Sequence, residues 1–382
     1  MSKRYITYED IRKIQKDYDP QYIMLISARN DGKSYAVKEH ILRNYLEKGE
    51  KACYLRRNEV DIKGIDQSLY WADFMKLGKN KIEELTGGEW TAITHKKDGF
   101  HLAKTGEDGK MVDGDLFAYV HALSIAKRYK SLQFPDVSSI VFEEFVTDSG
   151  YLFKEPSRLQ QYISTVFRGT VEGQTCFLVG NTISKLNPYF REWQMEGFRK
   201  MKPGQIDIYD YSYTPEDFDG EEGEPTTTRI AVHIPDTSGK AKGKSMFFGA
   251  SAGMIAGQRW DAQEQPHLRG RRRDYDALYQ IVVDCGVDGR FLLTLLQKRS
   301  NPDVVLWYVE PKTTDIQKGT RIIGTDVVEG SLWTRDFYPI TKEEARAFQI
   351  MRWGRVVYSD NLTGTEYKRA VRQIRMSEVG VE

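Results

Sequence analysis

Residues 21–37, QYIMLISARNDGKSYAV, make an apolar run that breaks at Gly32-Lys33-Ser34 and restarts with helical spacing. Tyr22 to Ile26 read as a strand and Tyr35 to Tyr45 as the helix that follows. The arrangement approximates the phosphate-binding pattern G-x-x-x-x-G-K-[ST]. Such a loop works only between a strand and a helix whose N-terminus faces an anion, which commits this part of the chain to a layered α/β fold. The ligand it implies is a nucleoside triphosphate with magnesium.

Each residue of the loop has a task. Gly32 lets the backbone curl so that successive N–H groups point at phosphate oxygens. Lys33 reaches the β- and γ-phosphates as a point charge, and the Ser34 hydroxyl takes a magnesium coordination position. Ala28, Arg29, Asn30 and Asp31 supply the intervening backbone. Ser27 stands where the pattern has its first glycine. A second Gly-Lys-Ser, at 243–245, lacks both the full spacing and a strand running into it, and reads as a flexible basic loop.

At 382 residues the chain accommodates two domains and a connector. Its 56 basic and 55 acidic residues nearly cancel, so nucleic-acid binding has to come from local patches. Three widely separated cysteines, Cys53, Cys176 and Cys285, argue against a disulfide framework or a zinc site. No signal-peptide pattern and no membrane-spanning run stands out, and the expectation is a soluble protein of a reducing compartment.

Strand-like and helix-like segments alternate through the first half. Strands are expected at Tyr22–Ile26, Lys51–Leu55, Ser139–Phe142 and Thr175–Val179, with helices around 35–47, 68–77 and 156–167. The expected domains are 1–206, an acidic, turn-rich linker subdomain at 207–270, and 271–382. In the last of these, a hairpin turning at Val287-Asp288-Gly289, the strand VVLWYVEP and helices near 341–352 and 365–376 are expected.

Phosphoryl transfer also needs a magnesium-shell carboxylate and a base for the attacking water. VSSIVFEEF, residues 137–145, runs an apolar strand into Glu143 and Glu144. Where the strand turns, adjacent acids take separate roles, Glu143 toward magnesium and Glu144 toward water. Glu143 is a departure, because aspartate is usual there. Asn181, at the tip of the strand Thr175–Val179, is either a γ-phosphate or water-positioning group or simple Gly-Asn turn chemistry. This order of elements suits nucleotide hydrolases in which an extra strand separates the loop strand from the acidic one.

Taken together, SARNDGKSYAVK, YLRRNE, KSLQFPDVSSIVFEEF, TVFRG and CFLVGNTISKLNPYF resemble, in order and spacing, the DNA-packaging ATPases of small phi29-type tailed phages. The resemblance spans most of residues 20–192. It implies an additional-strand, RecA-like P-loop NTPase domain followed by an α+β domain shaped like a ribonuclease H or terminase nuclease without its cutting function. It also implies a ring motor, a homopentamer, docked on the portal of a procapsid in the host cytoplasm, built around a phage structural RNA and moving double-stranded DNA. Arg168 matches the family's finger, which reaches into the neighbouring subunit's site. From the residues alone it is equally a cation complementing a helix C-terminus. Arg56 and Arg57 match a lid-like segment near the nucleotide, and Lys130 matches a lysine acting between subunits; from the residues alone these also read as ordinary surface charges.

For the C-terminal part, a working nuclease would need carboxylates converging on two metals, and Asp284, Asp288 and Glu310 are the candidates. Such acids are also ordinary strand termini. The clusters Arg269, Arg271, Arg272 and Arg273, then Lys298 and Arg299, would track a phosphate backbone or form a solvated linker end. Beside DNA translocation, two readings stay open: a terminase-like ATPase with an active nuclease, and an assembly adaptor that binds nucleotide structurally.

Overall fold

The computed structural model describes residues 5–147, 151–168, 173–181, 187–214, 223–236, 264–285, 289–312, 319–324 and 330–376. They divide into two compact units. One holds residues through Asn181 and those from Gly197 to 236; the other holds 187–196 and everything from 264 onward.

The first unit begins with helix α1 (Tyr8–Tyr18), started by a Thr7/Asp10 capping box. Strand β1 (Tyr22–Ser27) follows, then α2 (Lys33–Lys48), which stops at Gly49 with φ 73°. Next come β2 (Lys51–Arg56), the short ribbon β3 (Met75–Lys76) and β4 (Lys79–Asn80), and α3 (Lys81–Leu85). Strands β5 (Ala92–His95), β6 (Gly99–Thr105) and β7 (Met111–Ala122) run antiparallel to one another. After them stand β8 (Val137–Glu143), α4 (Glu155–Val166), β9 (Thr175–Asn181), β10 (Gln205–Tyr213) and β11 (Thr226–Ile234).

Nine of these strands form one sheet in the order β10-β11-β1-β9-β8-β2-β7-β6-β5. The six from β11 to β7 are mutually parallel. Every residue of β1 and β8 is buried, as continuous apolar strands covered on both faces should be. The expected strands all form, and β9 lies between β1 and β8 as the element order suggested.

Three expectations are corrected. Residues 68–77 are not a helix but a 3₁₀ turn at Gln67–Trp71 followed by β3. The Tyr70 carbonyl, which a continuing helix would need, accepts instead from Lys38 Nζ at 2.8 Å, while the Phe74 amide donates to Trp71 at 2.8 Å. Second, the described residues between 207 and 236 are not a separate linker subdomain: β10 and β11 are antiparallel partners, and β11 extends the main sheet beside β1. Of the acids that suggested a linker, Asp210 is exposed on β10 and pairs with Arg229 of β11 at 2.7 Å, as suits an edge strand. Third, the division at 206 fails because 187–196 groups with the second unit.

The second unit contains α5 (Pro188–Glu192), β12 (Tyr275–Asp284), β13 (Arg290–Lys298), β14 (Asn301–Pro311), β15 (Arg321–Gly324) and β16 (Leu332–Thr334). Helix α6 (Lys342–Arg352), β17 (Val356–Tyr358) and α7 (Asn361–Met376) complete it. Its sheet runs β16-β15-β12-β13-β14-β17. The core gathers Ile281, Val283, Leu293, Trp307, Phe348 and Tyr367, with the Trp307 indole donating to the Ala347 carbonyl at 2.8 Å. The expected hairpin joins β12 and β13, although Asp288 at its turn lies outside the described residues, as do Gly243-Lys244-Ser245. Cys53, Cys176 and Cys285 are free and buried. Among the described residues, no helix is long and apolar enough to cross a membrane.

Candidate nucleotide site

Strand register builds the centre of the site. Ser27 ends β1 directly beside Asn181, which ends β9, and Val179 of β9 pairs with Glu143 at the end of β8. Three parallel strands therefore deliver the loop, an amide and a carboxylate to one edge of the sheet, where ligands of open α/β folds bind.

The loop closes through Asn30 at φ 61° and Gly32 at φ 91°, both in the left-handed region. Glycine is required at position 32, because an added Cβ would sit 2.7 Å from the Ile6 carbonyl oxygen. Ile6 is part of a strap across the loop, its amide donating to the Asp31 carbonyl at 2.9 Å. From Gly32 the chain enters α2, whose N-terminus faces the cleft.

Lys33 is buried beneath this loop. Its ammonium donates to the Ser27 carbonyl and hydroxyl oxygens, both at 3.1 Å, to the Ala28 carbonyl at 2.8 Å and to Asn181 Oδ1 at 3.3 Å. The serine in place of glycine thus gives the lysine one more acceptor. Ser27 and Ala28 reach the cleft only through Lys33, whereas Arg29, Asn30, Asp31, Gly32 and Ser34 line it directly. The cleft measures about 780 Å³ and also has Glu143, Glu144 and Asn181 in its wall, a size suited to a nucleotide.

The two glutamates diverge. Glu143 is buried, accepts from the Tyr70 hydroxyl at 2.8 Å and is hydrogen-bonded by the Ser34 side chain. Burial pushes its carboxyl up, opposed by those hydrogen bonds and by the Lys33 and Lys38 charges. A buried carboxylate touching the Ser34 hydroxyl fits a divalent cation, and these two residues would hold it together with phosphate oxygens. Among the described residues no group of three His, Cys, Asp or Glu side chains could hold a metal by itself.

Glu144 turns the other way, its backbone at φ 57°, and its exposed carboxylate pairs with Arg56 at 2.9 Å. Arg57 grips the same turn from below. Its guanidinium donates to the Glu144 carbonyl at 3.0 Å, the Phe145 carbonyl at 2.8 Å and both carboxylate oxygens of buried Glu155 at 2.9 and 3.0 Å. Arg56 therefore acts on the site through Glu144 and does not line the cleft.

Two expected site residues stand apart. Lys130 is exposed and lines a separate small groove with Lys127, Lys154 and Arg158. Arg168 is exposed just past α4 and outside the cleft wall. Neither belongs to the cleft of its own chain. Sequence reading missed Tyr70, the Arg57–Glu155 clamp and the Lys38–Asp73 ion pair that seats the Tyr70 turn on α2. A cleft of about 980 Å³ between α1 and α2 lies at the opposite ends of β1 and β9, near Gln21 and Thr175, and shares no lining residue with the nucleotide cleft.

In the second unit, Asp284 is bound by Arg290 at 2.8 Å, and Glu310 is half-buried on β14.

Residues 7–197, half of the chain, match the family described as Podovirus DNA encapsidation protein (Gp16). The chain belongs to that family. It is 31% identical over 176 residues to the DNA packaging protein of Bacillus phage B103, covering 45% of this chain and 48% of that one. The DNA packaging protein of Bacillus phage phi29 is likewise 31% identical over 176 residues, covering 45% and 46%. These matches span about half the length of the relatives. Among solved structures, a chain of the bacteriophage Phi-29 viral genome packaging motor assembly superposes with a TM-score of 0.50 at 21% identity, over 98% of this chain and 100% of that chain. This last likeness speaks for the fold alone.

Proposed function

We propose that this chain is an ATPase that drives double-stranded DNA into a phage procapsid as one subunit of a ring-shaped motor. The observation that carries the reading is the placement of Ser27, Asn181 and Glu143 on three adjacent parallel strands around Lys33, in a chain of an encapsidation family. The strand order fits an additional-strand, RecA-like nucleotide-binding domain. In the second unit, three antiparallel strands followed by two parallel ones, β14-β13-β12-β15-β16, fit a ribonuclease H-like domain.

ATP phosphates would lie on the loop amides and the α2 N-terminus, with Lys33 exchanging its Ser27 and Ala28 carbonyls for phosphate oxygens. Ser34 and Glu143 would hold magnesium, which would supply neutralisation of the charge on the phosphate oxygens. Glu144, released from Arg56, accepts the proton of the attacking water. Asn181 orients that water or reads the γ-phosphate. Arg168, exposed on its own subunit, suits a role in the next subunit's site, and Lys130 a second contact between subunits. The partners of this reading are DNA, a phage structural RNA, the portal and further copies of the chain as a homopentamer, in the host cytoplasm. A nuclease is not favoured, because Asp284 is already paired with Arg290.

The test is Glu144→Gln. ATP should still bind, and DNA-stimulated turnover should fall by two to three orders of magnitude; unchanged turnover would refute the assignment. Mixing Arg168→Ala with Lys33→Ala subunits should restore part of the activity if Arg168 acts in trans.

A further inference from the structure

Two basic clusters that are separate in sequence meet at one end of the second sheet. Arg269, Arg271, Arg272 and Arg273 precede β12, while Lys298 and Arg299 close β13. The antiparallel register sets Tyr275 opposite Lys298, and the Arg299 amide donates to the Asp274 carbonyl at 3.0 Å. The hairpin thus folds one cluster onto the other.

The arginines stand on a fixed turn. Gly270 bends the chain at φ 95°, and the hydroxyl of buried Tyr275 donates to the Arg269 carbonyl at 2.8 Å. The local acids are already occupied: Asp276 pairs with Arg299 at 2.9 Å, and Asp274 accepts from the Arg271 amide at 2.8 Å. Among the described residues no carboxylate pairs with Arg269, Arg271, Arg272, Arg273 or Lys298, and the four arginines are exposed.

Uncompensated guanidinium forks held close together fit a closely spaced array of phosphates. Tyr275, the aromatic side chain within this turn, is buried and offers no face on which an unpaired base could stack, which favours a duplex over a single strand. A fixed turn whose exposed side chains are mainly arginines grips phosphates and reads no sequence. Asp284 and Arg290 lie at the other end of the same two strands, about 30 Å away at 3.3 Å per residue.

We infer that the second unit grips the backbone of double-stranded DNA through this arginine pole, and not through the Asp284 end of the sheet. That the duplex is DNA rests on the packaging function proposed above.

The test uses the full chain and two labelled DNA duplexes of unrelated sequence, with affinity followed against salt. Replacing all four arginines by alanine should weaken binding at least ten-fold for both duplexes. It should also reduce the slope of log affinity against log salt by about three to four, at roughly 0.9 per lost phosphate contact. The four-lysine variant should keep most of the slope, which separates lost charge from misfolding, and Asp284→Asn with Arg290→Ala should change neither quantity. An unchanged slope in the alanine variant would overturn the inference. So would an equal loss in the Asp284/Arg290 variant, or loss of duplex RNA binding with DNA binding intact. ATP turnover without DNA is measured in parallel. Its absence in the unsubstituted chain would count against the ATPase reading, while the salt slope would still decide the DNA surface.

Discussion

Arg56 donates to the Glu144 carboxylate at 2.9 Å, across 88 residues of chain. The proposed base is therefore held at the end of β2 before any nucleotide arrives. Glu144 is more than half exposed, so this pair contributes little to stability, about 0–1 kcal/mol. Its consequence lies in where the carboxylate points.

Arg56→Ala should accordingly leave the unfolding midpoint nearly unchanged and raise DNA-independent ATP turnover several-fold, measured by phosphate release. A fall in turnover would mean that Arg56 instead assists the transition state.

Arg57 should behave in the opposite way. Its side chain and that of Glu155 are 7% and 0% exposed, so Arg57→Ala leaves a buried carboxylate uncompensated. The expected loss is about 3–5 kcal/mol in urea unfolding, whereas Arg57→Met with Glu155→Met should lose clearly less. A double variant no more stable than the single one would show that the hydrogen bonds to the Glu144 and Phe145 carbonyls dominate.

What could be read from the sequence follows from how local each signal is. β1, β2, β8 and β9 are short, nearly continuous apolar runs in a parallel layer, and each stands out unaided. The antiparallel flank β5–β7 does not, because one-sided strands mix polar and apolar residues; only the turn pairs Asp98-Gly99 and Asp108-Gly109 announce it. Ser27, Gly32, Lys33, Ser34, Glu143 and Asn181 were legible because motif spacing carries them to one sheet edge. Tyr70 was not: its bond to Glu143 joins positions 73 residues apart, and no local pattern encodes that. The arginine pair after β2 looked like a lid and is partly a buried clamp, since burial of an arginine depends on a partner, Glu155, from another element.

Gly32→Ala tests the strap over the loop. The substitution demands φ near 91° of an alanine and brings its Cβ to 2.7 Å from the Ile6 oxygen. A cost of about 1–3 kcal/mol is expected in the nucleotide-free protein. ATP should also stabilise this variant less than it stabilises the unsubstituted chain, as followed by thermal shift. Equal ATP stabilisation of both would place the phosphates elsewhere.

Glu143 gives a prediction in pH. Burial raises its carboxyl above the ordinary value of 4.5, so the folded chain holds this proton more tightly than the unfolded chain does. Stability from this group is therefore full below about pH 4.5 and is lost as pH rises through the folded-state value. Glu143→Gln keeps an oxygen for the Tyr70 hydroxyl and has no proton to lose. Without magnesium it should be more stable than the unsubstituted chain at neutral pH, and the difference should close as pH falls toward 4.5. Added magnesium should reverse the order at neutral pH, because only the glutamate gains a cation. Urea titrations at several pH values, with and without magnesium, measure this; a gap that stays constant with pH would mean that the carboxylate is compensated in the folded chain.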